Sequence, residues 1–336
     1  MILVTGGTGL VGSHLLYYLT KAGKNPVALK RKSSNIKRVS EVFSYYSKEY
    51  ESLFKKIVWI EGDILDYESL SEAMKNVTHV YHCAASVSFQ SSDSSSLTDT
   101  NITGTTNIVN VCLESNVKKL LHVSTIGALG RAESDGIVTE ESHWNNKKSS
   151  VYSTSKYHAE MEVWRGIAEG LNAVIVNPSI ILGPGDWNSG SSKLFTTMYN
   201  GLKFYSTGTN GFVDVNDVAK AMIILMEHNI SGERYILNSE NVSYKDFFTW
   251  MAQSLKVSPP PYKATKLMSE IGWRLLWVNG LITGKRSSIT KETAQTACQN
   301  YQYSNSKIKE HTDIKFVPVN ESINNNSILF LQSHNN

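Results

Sequence analysis

Tyr152 and Lys156 lie four residues apart in a segment that is patterned as a helix. At this spacing both side chains lie on one helical face, with Cβ atoms about 5–6 Å apart. A phenol has an ordinary pKa of about 10 and is therefore a poor acid or base at neutral pH. Because a neighbouring ammonium stabilises the phenolate, we expect Lys156 to lower the pKa of Tyr152 towards neutrality. Such a pair also occurs on ordinary surface helices, so proton transfer requires a third group.

Two hydroxyl groups, those of Ser124 and Thr125, follow a short apolar run at 120–123. Ligands of open α/β sheets bind beyond the carboxyl ends of the parallel strands. Either hydroxyl could therefore donate a hydrogen bond to a reacting oxygen at that edge. Capping of the turn after the strand is the alternative role for both.

Three glycines with the spacing G-x-x-G-x-x-G separate the first apolar run from the first helical segment: Gly6, Gly9 and Gly12. In this context the first glycine permits a tight turn, the second lets the backbone approach a pyrophosphate, and the third lets the helix pack on the strand. The helix N-terminus then offers N–H groups and the positive end of its dipole to the anion. The pattern predicts a dinucleotide site, with a plain tight turn as the alternative.

The residues after the second apolar run choose between two cofactors. Arg31 and Lys32 lie there, and the next carboxylate is that of Glu41. An acidic residue would bind the ribose hydroxyl of NAD, whereas a guanidinium and an ammonium suit the 2′-phosphate of NADP. We therefore expect NADP, with NAD as the alternative. The non-functional interpretation is a solvated basic loop.

The elements that must position these groups alternate between short apolar runs and amphipathic stretches. Buried strands are expected at Ile2–Val4, Val27–Leu29, Ile57–Ile60, His79–His82, Leu120–Val123 and Ala173–Val176. Helices are expected near 10–22, 66–75, 97–115 and 151–169, with a further helical segment within 34–56. This alternation is typical of right-handed β-α-β crossovers, so it predicts an α/β fold with a doubly wound parallel sheet.

Beyond residue 180 the alternation loosens, although 212–227 and 233–237 return to a strand–helix–strand pattern. We predict a dinucleotide-binding domain over 1–178, to which 211–238 returns. A smaller, mainly helical substrate-binding region would comprise 179–210 and 239–336. The Ser-rich stretch 91–96 is expected to be a loop. The apolar stripe at 271–283 is expected to be core of the second region, with a substrate lid or membrane-facing patch as the alternative.

The composition of the 336 residues excludes several classes of protein. Thirty-three basic and 30 acidic side chains leave a net charge of +3, too balanced for a dedicated nucleic-acid binder. The three cysteines lie far apart and the nine histidines show no metal-binding spacing, so neither a disulfide scaffold nor a metal site is expected. No apolar run reaches the ~20 residues of a membrane-spanning helix, and the chain opens directly on a strand. We therefore expect a cytoplasmic protein without a leader.

Together these motifs resemble the extended short-chain dehydrogenase/reductase family, and most closely its dihydroflavonol reductase-like and 3β-hydroxysteroid dehydrogenase-like branch. Thr5–Gly12 is similar to the TGxxGxxG turn of the family, and Tyr152–Lys156 to its YxxxK pair. Other similar segments are Gly62–Ile64, His82–Ala85, Asn101–Thr105, Asn177–Gly185 and Phe212–Val218. Asn177 stands where the family usually has arginine, and the segment typical of nucleotide-sugar epimerases is absent. Both departures count against a nucleotide-sugar substrate.

The resemblance implies a Rossmann fold and a role for each matching residue. Tyr152 would exchange a proton with the substrate and Lys156 would hold the nicotinamide ribose. Thr125, preferred over the adjacent Ser124, would polarise the carbonyl, and Asn101 would fix the active-site backbone. The expected cofactor contacts are Gly6, Thr8, Gly9, Leu10, Val11, Gly12, Arg31, Lys32, Asp63, Ile64, Ala84, Ala85, Lys156, Pro178, Ile180 and Ile181. His82 and His122 are expected to be hydrogen-bonded sheet residues rather than catalysts.

The sequence thus predicts an NADP-dependent oxidoreductase that reduces a ketone or aldehyde, or oxidises the alcohol. Two alternatives remain open: an epimerase or dehydratase with tightly held NAD, and a non-catalytic NAD(P)-binding regulatory protein. A hydrophobic or ring-bearing small molecule is suggested by aromatic residues in the segments least similar to the family, namely Phe89, Trp144, Trp187, Phe195, Tyr199, Trp273 and Trp277. The resemblance also implies a homodimer formed through the helices near 97–115 and 151–169.

Overall fold

The computed structural model describes residues 1–88, 93–130, 136–145, 149–265, 268, 273–274 and 297–334. The elements up to residue 168 are β1 (Ile2–Thr5), α1 (Leu10–Lys21), β2 (Val27–Lys30), α2 (Lys37–Ser44), α3 (Tyr50–Phe54), β3 (Val58–Glu61), α4 (Tyr67–Ala73), β4 (His79–His82), α5 (Ser94–Thr98), a π-helix (Asp99–Thr103), α6 (Gly104–Glu114), β5 (Lys119–Val123), a 3₁₀ turn (Ile126–Ala128), β6 (Ile137–Val138) and α7 (Val151–Ala168).

The later elements are β7 (Ala173–Pro178), β8 (Ile180–Leu182), α8 (Lys193–Tyr199), β9 (Phe204–Tyr205), β10 (Thr209–Asp214), α9 (Val215–Glu227), β11 (Glu233–Leu237), β12 (Glu240–Ser243), α10 (Tyr244–Leu255), β13 (Tyr262–Lys263), β14 (Gln302–Tyr303), α11 (Ser306–His311) and α12 (Val319–His334). Phe89 and most of the stripe at 271–283, including Trp277, lie outside the described residues.

The central sheet has seven strands in the order β11-β7-β5-β4-β1-β2-β3, and every neighbouring pair is parallel. The strand order reverses between β1 and β4, which is where open α/β sheets bind ligands. Thr5 pairs in register with His82, and His82 with His122. The doubly wound parallel sheet predicted from the sequence is therefore confirmed.

Helices cover both faces of this sheet, because successive strand residues point to opposite sides. Val4 and Leu121 are buried against α1 and α9 on one face. Leu120 and Ile175 are buried against α4, α6 and α7 on the other. The site residues carried by α7 thus approach the sheet from the second face.

The segments after β7 build a smaller core of their own. A three-stranded sheet, β12-β10-β8, packs with α8, α10 and α12. Trp187 and Phe195 are buried in this core, where Trp187 packs edge-to-face on Phe330 with ring centroids 5.2 Å apart. The use of these two aromatic residues as hints of a hydrophobic substrate was therefore wrong, since both are structural.

The C-terminal helix α12 is attached to the strand that leads into α9. The Asp214 carboxylate accepts hydrogen bonds from the Ser322 hydroxyl at 2.5 Å and from the Asn326 amide at 3.3 Å.

The prediction of a loop over 91–96 is partly wrong, because α5 begins at Ser94. None of the helices in the described part of the chain is long and apolar enough to cross a membrane.

Candidate active site

The glycine turn after β1 forms a cradle that side chains would fill. Gly6 has a positive φ of +66°, and a Cβ on it would lie 2.5 Å from the Ala84 backbone nitrogen. A Cβ on Gly12 would fall on the Gly6 carbonyl oxygen. Gly9 lies just before α1, and no side chain caps the helix there. The first N–H groups of α1 therefore face an open, backbone-lined turn, which fits the pyrophosphate of a dinucleotide.

The other residues predicted for the cofactor lie around this cradle. Thr8, Leu10 and Val11 are half-buried within the same turn. Ala84 and Ala85 follow β4, next to the turn. At the far end of the sheet, a groove of about 540 Å³ is lined by Arg31, Lys32, Ser33, Glu61, Gly62, Asp63 and Asp66.

Asp63 and Ile64 hold the loop between β3 and α4. The Asp63 carboxylate accepts a hydrogen bond from the Leu65 amide at 3.0 Å, and the Ile64 carbonyl accepts one from Asn107 at 2.9 Å. Ile64 is buried against Gly104, at which a Cβ would lie 2.5 Å from the Ile64 side chain. The groove thus combines two exposed cations with a loop whose backbone is fixed.

Thr125, Tyr152 and Lys156 meet where β5 ends. The side chains of Tyr152 and Thr125 share a hydrogen bond. Lys156 is buried, and its ammonium donates to the Val123 carbonyl at 2.8 Å. The α7 helix begins at the capping hydroxyl of Ser150, which accepts from the Ser153 amide at 2.8 Å. The predicted triad therefore assembles at the carboxyl edge of the sheet.

The electrostatics of this triad differ from the expectation drawn from spacing. Burial raises the pKa of Tyr152 to about 12, and the Thr125 hydrogen bond acts in the opposite direction. Burial also lowers the pKa of Lys156 to about 8, while the nearby Glu160 carboxylate raises it. The expected lowering of the Tyr152 pKa by Lys156 is thus wrong for this state. Burial is the largest effect on Tyr152, and the Lys156 ammonium is hydrogen-bonded to a backbone carbonyl.

The two adjacent hydroxyls after β5 point to different partners. The Ser124 hydroxyl donates to the Glu160 carboxylate at 2.6 Å, so Ser124 is not placed to polarise a substrate. Thr125 contacts Tyr152 and also accepts a hydrogen bond from the Gly127 amide at 3.2 Å. Thr125 therefore combines the capping role with a position beside the phenol.

Asn101 lies in the π-helix before α6 and links two parts of the site. Its side-chain oxygen accepts from the Ser86 amide at 2.7 Å. Its amide group donates to the Ser86 carbonyl at 3.0 Å and to the Ser155 hydroxyl at 2.9 Å. Asn101 thus ties the loop that carries Ala84 and Ala85 to the helix that carries Tyr152.

The remaining predicted residues follow β7. Pro178 ends that strand in register with Leu237, and Ile180 and Ile181 form the start of β8. The structure also brings in Glu160 and Arg234, which the sequence analysis did not identify. Glu160 lies one helical turn beyond Lys156 on the same face of α7, a spacing that could have drawn attention to it.

The two histidines at the strand ends behave differently. His82 shares hydrogen bonds with Thr5 at 2.8 Å and with Thr105 at 3.0 Å, as expected for a satisfied sheet residue. His122 is fully buried, and within the described residues neither of its ring nitrogens has a hydrogen-bond partner. The expectation was therefore wrong for His122, whose ring centroid lies 5.1 Å from that of His82.

Known proteins that are similar to this chain include reductases. A protein of Synechocystis sp., provisionally named a dihydroflavonol 4-reductase, is 26% identical over 98% of this chain and 94% of its own length. Cinnamoyl-CoA reductase 1 of Petunia hybrida is 24% identical over 96% of this chain and 90% of its own. The crystal structure of gox2253 superposes with a TM-score of 0.82 at 26% identity, covering 99% of this chain and 98% of that one.

A sequence profile of the NAD dependent epimerase/dehydratase family matches residues 2–238. The match extends from the glycine turn through the triad to the end of β11, and therefore spans every residue placed in the site above. The likeness to named reductases agrees with the oxidoreductase chemistry that the triad suggests. This chain belongs to the NAD dependent epimerase/dehydratase family, that is, to the extended short-chain dehydrogenases/reductases.

Proposed function

We propose that the protein is an NADP-dependent carbonyl reductase, with Tyr152 as the proton donor. The observation that carries this proposal is the hydrogen-bonded contact of Tyr152 with Thr125 beside a buried Lys156. Burial holds the pKa of Tyr152 at about 12, so the phenol is protonated at neutral pH. A protonated phenol can donate a proton to the oxygen of a carbonyl as it is reduced, which favours the reductive direction.

The glycine cradle and the basic residues after β2 support NADP as the cofactor. The N–H groups at the start of α1 would bind the pyrophosphate, and Arg31 and Lys32 would bind the 2′-phosphate. Lys156 would hold the nicotinamide ribose, and Ile180 and Ile181 would lie beside the nicotinamide. When bound, the dinucleotide supplies the hydride. The remaining steps belong to side chains of this chain.

Three side chains would carry out those steps. The Thr125 hydroxyl would donate to the substrate oxygen and orient it towards the phenol. Tyr152 would then transfer its proton to that oxygen. The Lys156 ammonium, one helical turn beyond Tyr152 on α7, would stabilise the phenolate that remains. Asn101 would keep the loop after β4 in place, so that Ala84 and Ala85 can line the cofactor.

The substrate-binding region is proposed to comprise 179–210 and 239–336, with 1–178 and 211–238 forming the dinucleotide-binding domain. The separate apolar core around α8, α10 and α12 supports this division. We propose a hydrophobic or ring-bearing ketone or aldehyde as the substrate. The support is the likeness to proteins named as dihydroflavonol 4-reductase and cinnamoyl-CoA reductase.

A cofactor-consumption assay with a panel of carbonyl compounds tests this function. We expect oxidation of NADPH in proportion to alcohol formed, with NADH a poorer donor. An epimerase would convert its substrate without net change in the absorbance of reduced nicotinamide. Conversion of nucleotide sugars alone, or binding of NADPH without turnover of any carbonyl compound, would refute the reductase assignment.

A further inference from the structure

The buried carboxylate of Glu160 receives hydrogen bonds from three successive strands of the sheet. The Ser124 hydroxyl, after β5, donates to it at 2.6 Å, and the Asn177 amide, on β7, at 2.8 Å. The Arg234 guanidinium, on β11, pairs with it at 3.0 Å. We call Glu160 and these three partners the Glu160 bracket. The Trp164 indole adds a longer contact at 3.4 Å.

This arrangement compensates a charge that would otherwise be costly to bury. Glu160 has a side-chain exposure of 0%, and an isolated carboxylate loses most of its hydration in such a place. Arg234 balances that charge and is itself fixed by bonds from its guanidinium to the Glu140 carbonyl, one of them at 2.8 Å. The Glu160 carboxylate is therefore held in one position by its three partners.

The Glu160 bracket is connected to Thr125 through Asn177. The same Asn177 amide group that binds Glu160 also donates to the Thr125 carbonyl oxygen at 3.0 Å. Ser124, next to Thr125, is bound to Glu160 directly. Ser124 is thus held by Glu160 and Thr125 by Asn177. These two contacts set the direction in which the Thr125 side chain meets Tyr152. Asn177, where the family usually has arginine, supplies the uncharged amide that makes both bonds.

The bracket also acts on the charge of Lys156. Glu160 follows Lys156 by one turn of α7, and its carboxylate raises the pKa of the ammonium against the effect of burial. The other titratable groups near Lys156 are Tyr152 on α7, Cys83 after β4, His82 on β4 and His122 on β5. Burial lowers the pKa of both histidines, so they are neutral at physiological pH. Glu160 is thus the largest of the effects that raise the Lys156 pKa against burial.

We propose that Glu160 is a positioning residue of the active site, which aims the Thr125 hydroxyl through Ser124 and Asn177 and sets a carboxylate one helical turn from Lys156. This inference rests on the proposed function for the steps that involve a carbonyl substrate. It goes beyond that function by assigning a role to a residue outside the triad of Thr125, Tyr152 and Lys156. Arg234 then belongs to the same unit, as the cation that pairs with Glu160.

The test measures the affinity for NADPH against pH, because that needs no turnover. Lys156 would hold the nicotinamide ribose only as the ammonium, so affinity should fall as pH rises through its pKa. We expect Glu160→Gln to move this fall to lower pH by about one unit. Glu162→Gln is the matched control, since Glu162 lies on the same helix and pairs with Arg165 at 3.0 Å. An unshifted fall in a folded Glu160→Gln protein overturns the proposal.

A second variant separates geometry from charge. Ser124→Ala removes one bond of the bracket and leaves the Glu160 carboxylate in place. We expect it to lower kcat for carbonyl reduction about tenfold, with KM within about twofold and the pH of the affinity fall unmoved. An unchanged kcat would contradict the positioning role, and decides the matter if Glu160→Gln does not fold. If the wild type binds NADPH but reduces no carbonyl compound, the proposed function fails while the affinity measurement still tests the bracket.

Discussion

At the scale of single residues, burial decides what the triad can do. Tyr152 is partly buried and hydrogen-bonded to Thr125, so its proton is held until a substrate oxygen takes it. Lys156 is buried, and its ammonium donates a hydrogen bond to the Val123 carbonyl. The Tyr152 hydroxyl and the Lys156 ammonium are thus held in place by protein hydrogen bonds before substrate and cofactor bind.

The role of Tyr152 is tested by removing only its hydroxyl group. Tyr152→Phe should lower kcat at least about 100-fold, because proton transfer by a positioned side chain contributes that much or more. The affinity for NADPH and the midpoint of thermal unfolding should change little. Tyr157→Phe is the control, since Tyr157 stacks on Trp144 with ring centroids 4.3 Å apart and its ring is retained. Wild-type turnover by Tyr152→Phe would rule Tyr152 out as the donor.

The identity of the triad could be predicted from residue types and spacing, but its orientation could not. Ser124 and Thr125 are neighbours with the same functional group, and only the packing of α7 on β5 shows that Ser124 is bound to Glu160. The pairing of Glu160 with Arg234 joins residues 74 positions apart in the chain, across three strands. No local pattern reports a contact of that range, and the direction of the Tyr152 pKa shift depends on the same packing.

At the scale of elements, the strand–turn–helix units carry the cofactor residues. The strands expected from apolar runs match the central sheet to within two residues at each end, because a strand buried on both faces is apolar throughout. The strands that the sequence analysis missed include β6, β9, β13 and β14, each of two residues. A two-residue strand is too short to show periodicity, and its partner lies far along the chain.

The turn after β1 provides a prediction about close packing. In Gly12→Ala the new methyl group would fall on the Gly6 carbonyl oxygen, so backbone must move. We expect a loss of about 1–3 kcal/mol in the free energy of unfolding, together with weaker NADPH binding. Urea denaturation and a binding titration measure the two effects. Gly185→Ala should cost less, because its nearest new contact is the Leu10 side chain at 3.1 Å. Equal losses would count against the cradle.

The loop between β2 and α2 provides a prediction about cofactor choice. Arg31→Ala combined with Lys32→Ala should weaken NADPH binding about 10- to 100-fold, as charge-assisted hydrogen bonds to the 2′-phosphate are lost. Binding of NADH, which lacks that phosphate, should change less than about twofold. Lys24→Ala, an exposed lysine before β2, serves as the control for net charge. A parallel loss of affinity for both cofactors would mean that the loop does not read the phosphate.

At the scale of the whole molecule, buried neutral histidines make the fold sensitive to acid. Burial lowers the pKa of His14 to about 4 and that of His82 to about 3, from 6.5. The unfolded chain therefore binds protons at these histidines before the folded protein does. Stability contributed by keeping them neutral is complete above pH 6.5 and is lost as pH falls towards these lowered values.

Urea unfolding at pH 7 and pH 5 measures this effect. We expect each of these histidines to contribute about 2 kcal/mol to the decrease in unfolding free energy between the two pH values. His82→Gln should remove its share of the decrease, since the amide cannot titrate and can still bond to Thr5 and Thr105. His158→Gln, an exposed position on α7, should leave the decrease unchanged. Identical pH dependence in wild type and His82→Gln would contradict the assignment.

The counter-ion of the Glu160 bracket stands on β11, the outermost strand of the sheet. The geometry of the active site thereby depends on the edge strand of the sheet. If β11 detaches from the edge of the sheet, the Glu160 carboxylate loses its cationic partner Arg234, and the position of the Thr125 hydroxyl is no longer fixed. Heat or mild denaturant should then abolish enzyme activity before the rest of the protein unfolds.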